Sequence, residues 1–142
     1  MDFKNAKELL DFCQKLNCPI SDIMKQRECT LAETSLEDIY AKMDHALSIM
    51  RESASSPIQE PKKSIGGLIG GEARLADLHR ARGAAICGSV LSRAITYSMA
   101  VLETNTSMGL IVAAPTAGSS GIVPGLLLAL QEEYSIPAVS YT

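Results

Sequence analysis

The stretch "APTAGSSGIVPG" (Ala114–Gly125) sets Thr116, Ser119 and Ser120 among alanines and glycines too small to fill a core. It runs directly into an apolar segment with Pro124 near its first turn, a position proline favours because that turn needs no N–H. The first N–H groups of a helix have no partner inside it. Hydroxyls and small residues at such a point let a carboxylate or a phosphate approach. A plain capping loop needs only one hydroxyl, so this richer set points to ligand binding.

A second glycine-rich stretch, "SIGGLIGGEA" (Ser64–Ala73), has neither the spacing of a dinucleotide fingerprint nor a Walker Lys-Ser/Thr. Two readings stand side by side. In one it is a flexible connection closing on a tightly packed helix. In the other it is an anion nest, with glycines letting the backbone approach and the helix from Glu72 adding its dipole. The remaining chemistry-bearing residues point elsewhere. Cys13, Cys18, Cys29 and Cys87 form no Cys-x-x-Cys pair, and no metal is expected on them; Cys13, on an apolar helix face, and Cys87, in a small-residue helix, both read as core thiols. His45 sits among Lys42, Asp44 and Ser48 and reads as a solvated helix residue.

The elements that must position these loops are helical. Leu9, Phe12, Cys13 and Leu16 make an i, i+3, i+4, i+7 stripe that ends at Asn17 and Pro19. Ser21 is expected to cap a short second helix carrying Ile23 and Met24. Thr34 and Glu37 have capping-box spacing before a third helix, whose face holds Leu36, Ile39, Tyr40, Met43, Leu47 and Met50. "SASSPIQEPKKS" (Ser53–Ser64), with its prolines and serines, reads as a linker. Glu72–Arg82 reads as a helix with Gly83 as its C-cap. From Ala84 a nearly all-round apolar segment predicts a central, buried helix that turns polar at Glu103–Asn105. "SMGLIVAA" reads as an extended turn, and "IVPGLLLALQEEY" as a last helix.

Composition agrees with this reading. The chain has 142 residues, enough for one domain; it is 46% apolar but only 4% aromatic, with no Trp. That mix favours close helix packing, and the fold class expected is all-α, with glycine-rich loops at helix N-termini. A net charge of −3 gives no reason to expect nucleic acid or an anionic membrane as partner. No stretch approaches the length of a membrane span, and the charged start "MDFKNAKELLDFC" is not a signal peptide, so the cytoplasm is the expected location.

"MAVLETNTSMGLIVAAPTAGSSGIVPG" (Met99–Gly125) resembles the segment of iron–sulfur-dependent L-serine dehydratases in which a Glu-x-Asn turn precedes an Ala-Pro-Thr loop. "GGLIGGEA" (Gly66–Ala73) resembles the glycine-rich segment upstream in their alpha chains, and the N-terminal helices fit the start of the same chains. The resemblance implies conversion of L-serine to pyruvate and ammonia on a 4Fe–4S cluster whose open iron acts as a Lewis acid. Such charge stabilisation suits a poor leaving group like hydroxide. Nothing resembles the Ser-x-Lys segment of pyridoxal phosphate enzymes, so that cofactor is not expected.

Carried over by residue, the resemblance implies that Gly66, Gly67, Gly70 and Gly71 shape a substrate-side loop. Glu103 and Asn105 brace the site, and Thr116, Ala117, Gly118 and Ser119 hold the substrate carboxylate or line the cluster pocket. The general base has no assignment. Many family members carry a cluster cysteine where this chain has Ser120, a harder and weaker ligand for iron. The resemblance also implies further cluster cysteines in a downstream segment. Residues 1–52 are therefore expected as an N-terminal three-helix segment, 53–64 as a linker, and 65–142 as the start of a catalytic core incomplete at its C-terminus. Alone, the chain is expected to be inactive. A beta chain, or self-association through Leu126, Leu127, Leu128 and Leu130, is the expected partner. A non-catalytic remnant or a helical interaction module with an anion-binding loop stands as the alternative.

Overall fold

The computed structural model describes residues 2–83 and 85–137. They form α1 (Ala6–Leu16), α2 (Ile20–Ala32), α3 (Leu36–Gln59), α4 (Glu72–Ala81), α5 (Ser89–Thr106) and α6 (Ile122–Tyr134), with one 3-10 turn at Ala117–Ser119. Among the described residues there is no strand, and the chain is all-α as its pattern predicts. Two compact units divide inside α3, one up to Asp44 and one from His45.

In the first unit, α1 ends at Asn17, which takes the left-handed conformation that asparagine tolerates (φ 48°). α2 is longer than expected. Pro19, with its fixed φ, takes the N-cap position without a side-chain bond, so Ser21 lies inside the helix and does not cap it. The capping box of α3 is one residue later than expected. Ser35 Oγ accepts from the Asp38 N–H (3.1 Å) and the Asp38 carboxylate accepts from the Ser35 N–H (3.3 Å). Thr34 only adds its hydroxyl to the same carboxylate (3.0 Å), and Glu37 takes no part.

The second unit corrects the expected linker. α3 continues without a break through Ser53 to Gln59, with Pro57 inside it, so the connection to the next element starts only at Glu60. Pro57 has no N–H to offer the Ser53 carbonyl. That carbonyl instead accepts from Thr104 Oγ1 of α5 (2.8 Å), and Pro57 is buried. The lost helix bond is thus replaced by a contact to another helix, and the proline does not end α3.

α4 ends at Ala81 with Arg82 as its C-cap, one residue before the Gly83 that the pattern assigned to this role; Gly83 follows at φ 72°. α5 starts at Ser89, later than expected, because Gly88 stands before it at φ 81°; Ala84 lies outside the described residues. The segment after α5 forms no strand, as expected.

α5 is the helix against which α4 and α6 pack. A Cβ on Gly125 would overlap Ser98 Oγ and lie 2.7 Å from the Ala94 carbonyl oxygen, and one on Gly121 would lie 2.8 Å from that of Ser98. The two helix backbones therefore touch through glycine. Polar ties fix their register: Tyr97 OH donates to Glu132 (2.5 Å), Ser89 Oγ donates to Glu133 (2.9 Å), and Arg93 pairs with both glutamates. Burial, then the bond to Glu132, raises the Tyr97 phenol above its ordinary value.

The core of this unit is Ala54, Val101 and Leu128, with Tyr97 and Ile111 packed on it. This corrects the expected leucine patch on α6, since Leu128 is in the core and Leu127 and Leu130 are half-buried; only Leu126 is exposed. The larger open apolar stripe lies on α5, at Leu91, Ile95 and Leu102.

Candidate functional site

Glu103 organises the glycine-rich loop. It sits in the last turn of α5 with only 3% of its surface exposed. Its carboxylate accepts from the N–H groups of Ala73 (2.7 Å, Oε1) and Gly71 (3.0 Å, Oε2). These are orphan donors at the N-terminus of α4, where a negative charge is also favoured by the helix dipole. The Gly70 N–H goes to Glu72 (2.7 Å). Glu72 is held below the ordinary carboxylate range by its own backbone N–H first, then that of Gly70, and by a hydrogen bond with Glu103. The anion at this helix N-terminus is thus supplied by the chain's own carboxylates.

The loop itself is a closed turn. The Ser64 N–H donates to the Ile69 carbonyl (2.7 Å), and the Gly67 N–H donates back to Ser64 (2.8 Å). Gly70, at φ 146°, has no room for a side chain, because a Cβ would overlap the Lys62 carbonyl. Gly66 and Gly67 are exposed, and Ile65 and Leu68 stand out into solvent on either side of them. The Ile65 N–H reaches the Thr106 carbonyl (3.3 Å), next to exposed Asn105, so the end of α5 holds the loop at two points.

The second loop forms its own hydrogen-bonded group. Thr116 Oγ1 accepts from the Ser119 N–H (3.4 Å), and Ser119 Oγ accepts from the Thr116 N–H (3.3 Å), a reciprocal box around the 3-10 turn. Ala114–Pro115 is a cis peptide. Thr116, Ala117 and Gly118 are exposed, and Ser119 is half-buried. Ser120 is buried and donates to the Ala117 carbonyl (2.6 Å). Among the described residues, no hydrogen bond joins this turn to the Gly66–Gly71 loop; each is anchored to α5 separately, here through Gly121 against Ser98.

Sequence reasoning missed Glu72, Ser98 and Thr104. An acidic residue right after paired glycines was a signal for Glu72. For Thr104 the signal was Pro57, which leaves a carbonyl in need of a donor.

The donor set present does not fit an iron–sulfur cluster. Among the described residues no three His, Cys, Asp or Glu side chains gather into a group able to hold a metal ion. Cys13, Cys18 and Cys29 belong to the first unit and Cys87 to the second. Ser120 offers a single hard oxygen, already engaged with its own backbone.

Residues 15–141 match the family described as "Serine dehydratase alpha chain". The chain is 39% identical over 131 residues to the "Probable L-serine dehydratase, alpha chain" of Bacillus subtilis (strain 168), which covers 92% of this chain and 43% of that protein. It is 35% identical over 130 residues to the "L-serine dehydratase, alpha chain" of Peptoniphilus asaccharolyticus, covering 92% and 44%. It is 31% identical over 134 residues to the "L-serine dehydratase" of Helicobacter pylori (strain ATCC 700392 / 26695), covering 89% and 28%. The chain thus spans less than half the length of these relatives. No solved structure gives a significant match. With the family match running over residues 15–141 and these relatives 31–39% identical, the chain, whose glycine-rich loop is tied to the end of α5, belongs to the serine dehydratase alpha chain family.

Proposed function

We propose that this chain serves as part of an L-serine dehydratase of the iron–sulfur type, converting L-serine to pyruvate and ammonia in the cytoplasm. The observation that carries the reading is the Glu103 clamp on the α4 N-terminus, set within a segment that matches the family throughout. Pyridoxal phosphate is not part of this proposal.

In this reading the chain positions substrate-side loops. Glu103 holds Gly71 and Ala73 in place and Glu72 holds Gly70, with Gly66 and Gly67 presented outward and Asn105 beside their anchor. Thr116, Ala117, Gly118 and Ser119 form the rigid turn on the carboxylate side. Ser120, at the position of the usual cluster cysteine, is at most one contact to metal. The cluster itself draws its ligands from outside the described residues, so the chain alone is expected to be inactive. The proposed division moves the end of the N-terminal segment from residue 52 to Asp44, because α3 from His45 onward belongs to the second unit, and keeps 65–142 as part of the catalytic core.

The proposed partner is a beta chain, with self-association through the exposed Leu91, Ile95 and Leu102 as the other way to cover α5. Light scattering separates these outcomes: an oligomer of the chain alone supports self-association, and a monomer leaves the beta chain.

The test is a chimera in which these residues replace the matching segment of the Bacillus subtilis alpha chain, assembled anaerobically with iron, sulfide and the beta chain. Pyruvate from L-serine in the chimera, with none from the 142-residue chain alone, is the expected result. A folded, cluster-bearing chimera without activity overturns the reading.

A further inference from the structure

A cavity of about 370 Å³ opens beside the end of α5, lined by none of the residues of the Glu103 clamp, within the size range of small-molecule sites. Ser48, Glu52 and Ser56, spaced i, i+4, i+8, present one face of α3 to it, with Ser53 beside them, and Lys62, Thr104 and Gly109 line it from the other elements. Its walls are fixed. Thr104 Oγ1 is bonded to the carbonyl that Pro57 leaves open on α3 (2.8 Å). The Gly109 N–H donates to the Thr104 carbonyl (2.8 Å), and a Cβ at Gly109 would lie 2.6 Å from Thr104 Cγ2, so the segment after α5 folds tightly onto the helix end.

The charges in this cavity are what select a ligand. Glu52 and Lys62 both line it, yet among the described residues neither forms an ion pair, with the other or with any third group. A simple anion would meet the Glu52 carboxylate, and a simple cation the Lys62 ammonium. A molecule with one charge of each sign satisfies both, and the hydroxyls along α3 supply further hydrogen bonds. The rest of the lining includes Ile49 and Leu110, apolar enough for a side chain.

We propose that this cavity binds a free α-amino acid, its ammonium group against Glu52 and its carboxylate toward Lys62. The site goes beyond the dehydratase reading and does not depend on it, since no residue of the Glu103 clamp lines it.

Isothermal titration of the 142-residue chain tests this, with L-serine and L-leucine as zwitterions, L-serine methyl ester lacking the carboxylate, and glycerate lacking the ammonium. At least one of the two amino acids binds saturably, and Glu52→Gln and Lys62→Met each weaken that binding about tenfold. The ester loses its sensitivity to Lys62→Met, and glycerate its sensitivity to Glu52→Gln. Both side chains are exposed, so the variants keep the fold, which circular dichroism verifies. The proposal is overturned if neither amino acid binds saturably, if binding survives both variants unchanged, or if ester and glycerate bind as tightly as the zwitterions.

Discussion

Replacing Glu103 by Ala strands the N–H groups of Gly71 and Ala73 at the buried start of α4. Unsatisfied buried donors carry their full desolvation cost, so the variant is expected to lose about 2–3 kcal/mol of unfolding free energy in urea denaturation. Loss of less than about 0.5 kcal/mol, the range of ordinary surface changes, would mean that the clamp contributes nothing. Glu103 was legible in the sequence only as a member of a Glu-x-Asn motif near the end of a helix. What it holds lies 30 and 32 residues away, and no local pattern carries that distance. The serines of the second loop were legible as a hydroxyl cluster, but the same signal suggested ligand contacts where Thr116 and Ser119 in fact bond to each other. Small hydroxyl residues satisfy their own turn as readily as they meet a ligand.

Packing of α5 on α6 depends on the glycines at their crossing. Gly125→Ala drives a methyl into Ser98 and the Ala94 carbonyl, backbone that cannot yield, and is expected to destabilise by about 2–3 kcal/mol. Gly66→Ala, with nothing within 4 Å of the new atom, is the control and stays within about 0.5 kcal/mol. Thermal unfolding of the two variants side by side reads the difference, and equal melting temperatures would contradict the close crossing.

The start of α3 makes a pH prediction. The Ser35 and Thr34 hydroxyls hold the Asp38 carboxyl below its ordinary value. A carboxyl depressed in the folded state adds stability above its unfolded pKa and loses it as pH falls through the folded one. Asp38→Asn should therefore flatten the acid side of the stability profile and leave its dependence at alkaline pH unchanged; an unaltered acid limb would refute this. An apolar stripe written in consecutive turns made α1 and α3 legible, and cap signals and apolar runs did the same for the other helices. The ends were less so. Pro57 reads as a breaker by itself, and only the Thr104 hydroxyl, supplied from another helix, lets α3 run past it.

For the molecule as a whole, the all-α class followed from a composition poor in aromatic residues and rich in small ones, which suits helices packed backbone to backbone as Gly121 and Gly125 are on α5. The leucine-rich sequence of α6 misled about the open surface, because burial depends on which neighbours a face meets. Leu128 meets Ala54 and Val101, whereas Leu91, Ile95 and Leu102 of the central helix stay about half exposed. Among the described residues no helix is long and apolar enough to cross a membrane. In the proposed function Glu103 sets the geometry of a substrate-side loop. The most direct measurement is pyruvate formation from L-serine by the chimeric alpha chain carrying Glu103→Gln, compared with the same chimera unaltered and equally loaded with cluster. Misplacement of a positioning loop by about an ångström lowers turnover about a hundredfold. A fall in kcat of that order is expected, with the fold intact by circular dichroism. A kcat within about twofold of the unaltered chimera would show that the clamp serves stability alone and contradict the claim.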